Sequence, residues 1–271
     1  MMVPLAEALD EGLFGGKATQ LGASLRAGLP VPPGFALSVD RVQAIVDGDA
    51  AALDEAFHHA AKLEAFAVRS SAVGEDGAGA SFAGQHDTVL DVRSREGLLD
   101  AIRRVWASGR TASAQAYRDR MRLTGAPRMA IVVQQLVASE MAGVMFTRNP
   151  MTGADERVIE AAWGLGEVVV AGLVTPDRYR VIREGHVLER SAGDKDIAIR
   201  SLAGGGTAEQ AVAPHLVSAL CLGDAELAAL NALACLCETH HGAGPHDLEF
   251  AFGGGRLYLL QCRSITRAGA P

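Results

Sequence analysis

Apolar residues first recur at helical spacing at Ala18, Leu21 and Leu25, behind Gly15-Gly16-Lys17 and ahead of Gly28 and Pro30. Glycines at the start and a glycine then a proline at the end bracket a helix there, with residues 1–14 as a short lead-in. Val31-Pro32-Pro33-Gly34-Phe35 reads as a rigid turn into a strand over Phe35 to Val39. Asp40 is placed to cap the next helix, and a further helix covers about 50–64. Phe66 to Ser71 reads as a strand that sends Ala67, Arg69 and Ser71 one way. Gly74, Gly77, Gly79 and Gly84 make Ala72 to Gly84 a flexible loop, suited either to close approach of backbone to a ligand or to a mobile surface. A strand over Gln85 to Val92 and a helical region over 96–123 follow. Met129 to Val137 is a buried-type strand with polar residues only at its end, expected to have Ala142 to Thr147 as its hairpin partner, with a turn over 148–153. Strands over 157–162 and 180–183 flank an apolar helix opened by Gly164-Leu165-Gly166-Glu167. Residues 184–210 read as a β-ribbon and loop, with disorder expected at Gly204 to Gly206. Strands and helices mix without a regular βαβ alternation, which predicts an α+β chain of two lobes enclosing a cleft.

The last apolar–polar alternation carries the most chemistry. Asp247, Glu249 and Ala251 alternate with Leu248, Phe250 and Phe252, and Gly253-Gly254-Gly255 supplies a hairpin turn. On the return strand Leu257, Leu259, Gln261 and Arg263 are expected on one face. A three-residue glycine loop sets Phe252 against Arg256 and Leu259 against Glu249, with Gln261 diagonal to Glu249; sliding the loop makes Gln261 its direct neighbour. Either register gathers a carboxylate, an amide oxygen and a guanidinium, which suits Mg²⁺ and a phosphate. The same pattern suits an edge hairpin whose polar residues face water, and the residues alone leave both readings open.

Elsewhere the chemistry is similarly two-sided. Gly15-Gly16-Lys17 at a helix start offers free N–H groups, a dipole and a point charge to an anion, although the Gly-x₄-Gly-Lys-[Ser/Thr] loop is absent; a solvated lysine fits the same residues. The strand end at Gln134, Gln135, Leu136 and Val137 can offer backbone groups to an adenine edge between apolar side chains. Cys235-x-Cys237-x₂-His240-His241 has a zinc-like look, but on a helix the two thiols fall about 200° apart at ~100° per residue, so buried core thiols are the better reading.

Composition narrows the classes. At 271 residues, 49% hydrophobic and 21% charged, the chain is long enough for one large domain or two lobes around ample core. A net charge of -7 with no Lys/Arg cluster argues against a nucleic-acid binder. Glu160 and Glu167 interrupt the most apolar stretch, Val158 to Val174, so no membrane span is expected, and the acidic start MMVPLAEALDEG lacks a signal-peptide core. Four cysteines without a disulfide-framework spacing fit a reducing cytoplasm.

Five collinear stretches resemble one family: GGKATQLGASLRAGLPVPPGF, FAVRSSAVGEDGAGASFAGQHDTVLDV, VVQQLV with AGVMFTRNP, VIEAAWGLGEVVVAGLVTPDRY, and PHDLEFAFGGGRLYLLQCRSIT, spread over residues 15–266. They are similar to the N-terminal nucleotide-binding domain of phosphoenolpyruvate synthase, pyruvate phosphate dikinase and rifampicin phosphotransferase. The resemblance implies a two-lobed ATP-grasp fold, with lobe one over about 1–125 and lobe two over about 126–271. It implies ATP and Mg²⁺ as ligands. Lys17 and Arg69 then take the phosphates, and a glycine-bearing loop with Ser81, Phe82, Ala83 and Gly84 covers them, followed by Thr88. Gln134, Gln135, Leu136 and Val137 form the adenine hinge, Glu249 and Gln261 hold Mg²⁺, and Arg263 lies beside the transferred phosphates. Glu249 also suits a ribose hydroxyl or metal-bound water. This agrees with the chemistry, because loose phosphoryl-transfer transition states need metal and fixed cations more than covalent help.

The departures bear on function. In the family a histidine in a Thr-Ser-His-type motif on a swivelling domain carries the phosphoryl group to a substrate domain. None of the eight histidines here follows Thr-Ser, and both of those domains are missing from this sequence, which ends at Pro271. His86, within the phosphate-covering stretch, stands where the family commonly has Gln or Met and reads as a neighbour of the site rather than an acceptor. The segment between Asp40 and Phe66 is shorter than in full-length relatives. The expectation is a nucleotide-binding phosphotransferase that donates a phosphoryl or pyrophosphoryl group to a histidine on a separate carrier domain or chain. The alternatives are a stand-alone small-molecule kinase and a nucleotide-binding regulatory module without transfer.

Overall fold

A computed structural model describes residues 1–74, 87–120 and 125–265. The chain divides into two compact units. One comprises Met1–Arg26, Pro32–Leu136 and Leu202–Gly206; the other comprises Ala27–Val31, Val137–Ser201 and Thr207–Pro271. Each is built of helices on antiparallel sheet, so the α+β expectation holds.

The first unit runs β1 (Met2–Pro4), α1 (Glu11–Arg26), β2 (Gly34–Leu37), α2 (Val39–Val46), α3 (Ala50–Ala60), β3 (Phe66–Ala72), β4 (Thr88–Val92), α4 (Arg95–Ser108), α5 (Ala112–Arg120) and β5 (Met129–Gln135). Its strands are ordered β1-β2-β5-β3-β4. β3 is buried along its whole length and flanked on both sides, which suits the run Phe66-Ala-Val-Arg-Ser-Ser-Ala72. Phe66, Val68, Ile131 and Val133 pack with Val42, Ile45, Leu98 and Ile102 of α2 and α4 into the core. Short side chains start the helices: Ser38 caps α2, Asp49 caps α3 and Ser94 caps α4, each accepting a backbone N–H. Asp40, expected as a cap, lies inside α2, because Ser38 already fills the role. The helical region over 96–123 breaks after Ser108 into α4 and α5.

Gly15 interrupts α1 with φ 75° and ψ 167°, a region essentially reserved for glycine. A Cβ there would also lie 1.9 Å from the Ser71 carbonyl oxygen.

The second unit holds β6 (Met141–Phe146), β7 (Glu156–Trp163), α6 (Glu167–Val170), β8 (Asp177–Ile182), β9 (Val187–Ser191), the ribbon strands β10 (Ile197–Ser201) and β11 (Thr207–Ala211), α7 (Pro214–Val217), α8 (Asp224–His241), β12 (His246–Gly253) and β13 (Arg256–Ser264). The main sheet is ordered β13-β12-β6-β7-β8-β9. α8 lies on one face, where Arg157 of β7 pairs bidentately with its Glu238 at 2.8 Å. Cys237 of α8 is hydrogen-bonded to Cys262 of β13; that contact and burial push the Cys262 thiol up, and Cys237 is the core thiol expected, whereas Cys235 is half-buried and accepts from Arg157 Nη2 at 3.7 Å. The apolar helix expected after Gly166 is one short turn, α6.

Two further expectations fail. β6 is not the hairpin partner of β5: it pairs with β12 and β7, whereas β5 pairs with β2 and β3. Adjacent buried strands in sequence give no period to separate hairpin from crossover. Gly204 to Gly206 are described residues and form the ribbon's turn, with the Gly206 N–H donating to the Asp91 carbonyl at 2.8 Å.

Candidate functional site

In the first unit, basic side chains gather at β3. Lys17 is 5% exposed and Arg69 8% exposed, unusual burial for such groups. Lys17 Nζ donates to the Ser70 carbonyl at 2.8 Å and to Ser70 Oγ at 3.4 Å. Arg69 Nη1 donates to Oε1 of Gln134 at 3.3 Å, and Nε2 of that glutamine donates to the Pro32 carbonyl at 3.1 Å. Thr88 lies directly opposite Arg69 across the β3–β4 ladder. Gly84 lies outside the described residues, as do Ser81, Phe82, Ala83 and His86.

The strand end is more committed than its sequence suggests. The Gln134 side chain is buried and braces Arg69, so it is occupied by protein groups. The N–H groups of Gln135 and Leu136 donate to the Pro33 and Ala65 carbonyls at 2.8 and 3.0 Å. Leu136 ends the longest segment of the first unit, and Val137 begins a segment of the second.

In the second unit, Gly254 and Gly255 both take positive φ (58° and 70°), the backbone of a two-residue turn whose twist matches the strands it joins. Gly253 is thereby a strand residue opposite Arg256, and the expected three-residue loop does not form. Phe252 faces Leu257 and Phe250 faces Leu259. A bulge between Glu249 and Phe250 then absorbs Leu260 as an extra residue, after which Glu249 faces Gln261 and Asp247 faces Arg263. Leu257 and Leu259 therefore stand on the apolar face, while Gln261 and Arg263 stand with the acids; the four do not share a face as expected. Following the Glu249 row over β6 and β7 adds Val144 and then Glu160.

Asp247 belongs to this group, although sequence reasoning gave it no role beyond the acidic face; its spacing of two from Glu249 on a strand was the signal. Its Oδ1 is buried without a hydrogen-bond partner among the described residues. Burial, with Glu249 adding repulsion and Arg263 opposing, pushes its carboxyl up to about 6. An orphaned carboxylate oxygen beside a second carboxylate and an amide oxygen is a set of hard donors that fits Mg²⁺, an ion that keeps water and phosphate oxygens for the rest of its shell. Among the described residues no group of three or more His, Cys, Asp or Glu is placed to hold a metal ion by itself. No helix among them is long and apolar enough to cross a membrane.

Comparison with known proteins gives the family. Residues 50–271 match the family described as pyruvate phosphate dikinase, AMP/ATP-binding domain. A probable phosphoenolpyruvate synthase of Methanothermobacter thermautotrophicus is 36% identical over 96% of this chain and 45% of its own length. Rifampicin phosphotransferase of a Streptomyces species is 33% identical over 98% of this chain and 36% of its own, and phosphoenolpyruvate synthase of Pyrococcus furiosus is 40% identical over 74% and 26%. The chain thus spans less than half the length of these relatives. Among solved structures, the dinucleotide-forming acetyl-coenzyme A synthetase 1 of Ca. Korarchaeum cryptofilum superposes at a TM-score of 0.47 with 11% identity, over 93% of this chain and 92% of that one. With most of the chain matched both to the family and to relatives above 30% identity, this protein belongs to the pyruvate phosphate dikinase AMP/ATP-binding domain family.

Proposed function

We propose that this chain binds Mg·ATP and donates a phosphoryl or pyrophosphoryl group to a histidine on a separate carrier domain or chain. The observation that carries this reading is the bulged hairpin, which sets Glu249 against Gln261 and Asp247 against Arg263 on one sheet face. Glu249 and Gln261 would hold the metal, with Asp247 beside them, and Arg263 would meet the phosphates as a forked donor. Bound Mg²⁺ would supply charge neutralisation between phosphate oxygens. Lys17 and Arg69, braced by Ser70 and Gln134, would hold phosphate oxygens with cations already ordered before the nucleotide arrives. Thr88, beside Arg69, and Gly84 would complete the phosphate side, and the backbone of Gln135, Leu136 and Val137, with Gln134 behind it, would border the adenine.

The test is to incubate the purified chain with Mg·ATP, titrate binding, and follow nucleotides by phosphorus NMR. Binding without turnover is expected, with transfer appearing when a carrier domain of a relative is added. Steady release of ADP or AMP by the chain alone would identify a stand-alone kinase. Binding that persists in Glu249→Ala, with no transfer to any carrier, would identify a regulatory module, and no binding at all would refute the reading.

A further inference from the structure

The break in α1 is not left open. In an unbroken helix the Ala18 N–H would bond the carbonyl four residues earlier, which is that of Phe14. Here the Ser71 hydroxyl stands between them: Oγ donates to the Phe14 carbonyl at 2.7 Å and accepts from the Ala18 N–H at 3.0 Å. One side chain from β3 thus replaces a rung of the helix ladder, which accounts for the kink physically. Ser71 is fully buried, and its own peptide fills the space beside Gly15 that any Cβ would need. Lys17 sits inside the interrupted turn, and its ammonium is held by Ser70, the residue before Ser71.

We infer that Ser71 is a positioning residue for Lys17: its hydroxyl holds the α1 backbone open at Gly15, and so fixes the direction from which Lys17 enters the phosphate site. This rests on the assignment of Lys17 to the nucleotide phosphates. Arg69, Ser70 and Ser71 then act as one tripeptide, supplying a cation, an anchor for a second cation, and the wedge that aims it. Without the hydroxyl, Ala18 and Phe14 either close the normal helical bond, which rotates the Lys17 backbone, or are left unsatisfied, which removes the anchor that holds it.

The test is a double-mutant cycle of Ser71→Ala and Lys17→Ala, with the affinities of Mg·ATP and adenosine measured on each variant and folding checked by thermal melting. Adenosine carries no phosphate, so it reports on the fold and the base site alone. Ser71→Ala is expected to weaken ATP roughly tenfold while leaving adenosine unchanged, and to cost almost nothing further in the Lys17→Ala background. Ser71→Thr, which keeps the hydroxyl, is expected to restore most of the ATP preference. Equal loss of ATP and adenosine, additive losses in the cycle, or full ATP affinity in Ser71→Ala would overturn the inference and leave the proposed function standing. Unchanged ATP preference in Lys17→Ala would overturn the assignment of Lys17 to the phosphates and the inference with it.

Discussion

Asp177 and Lys195 are fully buried and ion-paired to each other in the second unit. The Asp177 carboxylate also accepts the Gly193 N–H at 2.8 Å, the Cys221 N–H at 2.7 Å and the Tyr179 hydroxyl at 3.2 Å. The Tyr179 oxygen in turn accepts the Leu222 N–H at 3.0 Å. Burial pushes both the Tyr179 hydroxyl and the Cys221 thiol up, so neither becomes a second anion for Lys195. One carboxylate thus ties strand β8 to the segments that carry Gly193 and Cys221. The two halves of the pair are unequal. Asp177 without Lys195 keeps three donors, whereas the Lys195 ammonium has Asp177 as its hydrogen-bond partner among the described residues. Asp177→Asn strands a buried ammonium and turns an amide NH₂ toward N–H donors, so it should cost about 3–5 kcal/mol, the usual penalty for breaking a buried pair. Lys195→Met leaves a solvated-by-protein anion and should cost about 1–3 kcal/mol, the scale of one charged hydrogen bond. Urea denaturation at neutral pH measures both. Melting should fall by roughly 6–20 °C in Asp177→Asn, at about 2–4 °C per kcal/mol for a chain of this size. A Lys195→Met variant less stable than Asp177→Asn would refute the reasoning.

Gly15→Ala forces a left-handed-side backbone on a residue with a Cβ and drives that Cβ into the Ser71 carbonyl, so a loss of about 2 kcal/mol or more is expected, read by thermal melting. Deleting Leu260 removes the bulge but keeps Glu249 opposite Gln261, so ATP affinity should survive within about tenfold; deleting Gln261 sets Leu260 there instead and should abolish metal-dependent binding. Burial holds the His246 imidazole below its ordinary value of 6.5, against the pull of the His241 and Gly244 backbone and of Glu238. The unfolded chain therefore takes up that proton first, and stability falls as pH drops through the window below 6.5. His246→Gln should flatten part of that fall when urea midpoints at acid and neutral pH are compared; an unchanged slope would show that His246 does not contribute.

What the sequence disclosed here divides by the distance over which each feature is decided. Three glycines between alternating strands announce a hairpin, because turn chemistry is local. The register of that hairpin is another matter: both glycine-turn geometries are open to the same residues, and the bulge at Leu260 is fixed in part by neighbours, with the Leu259 N–H held by the Pro30 carbonyl and β12 held in line by β6. The consequence for the site is large, since without the bulge Gln261 would fall opposite Leu248 and Arg263 on the apolar side. Gln134 shows the same limit. Its place at a strand end was legible, but not that its amide would be spent on Arg69 and Pro32, partners 65 and 102 residues away in the chain. Ser71 is the sharpest case: in sequence it is a small polar residue on a strand, and only its position against a helix 53 residues earlier makes it a rung of that helix. Residue types told which chemistry was available; the non-local hydrogen bonds decided which residues were free to perform it, and those are the bonds that the variants above remove one at a time.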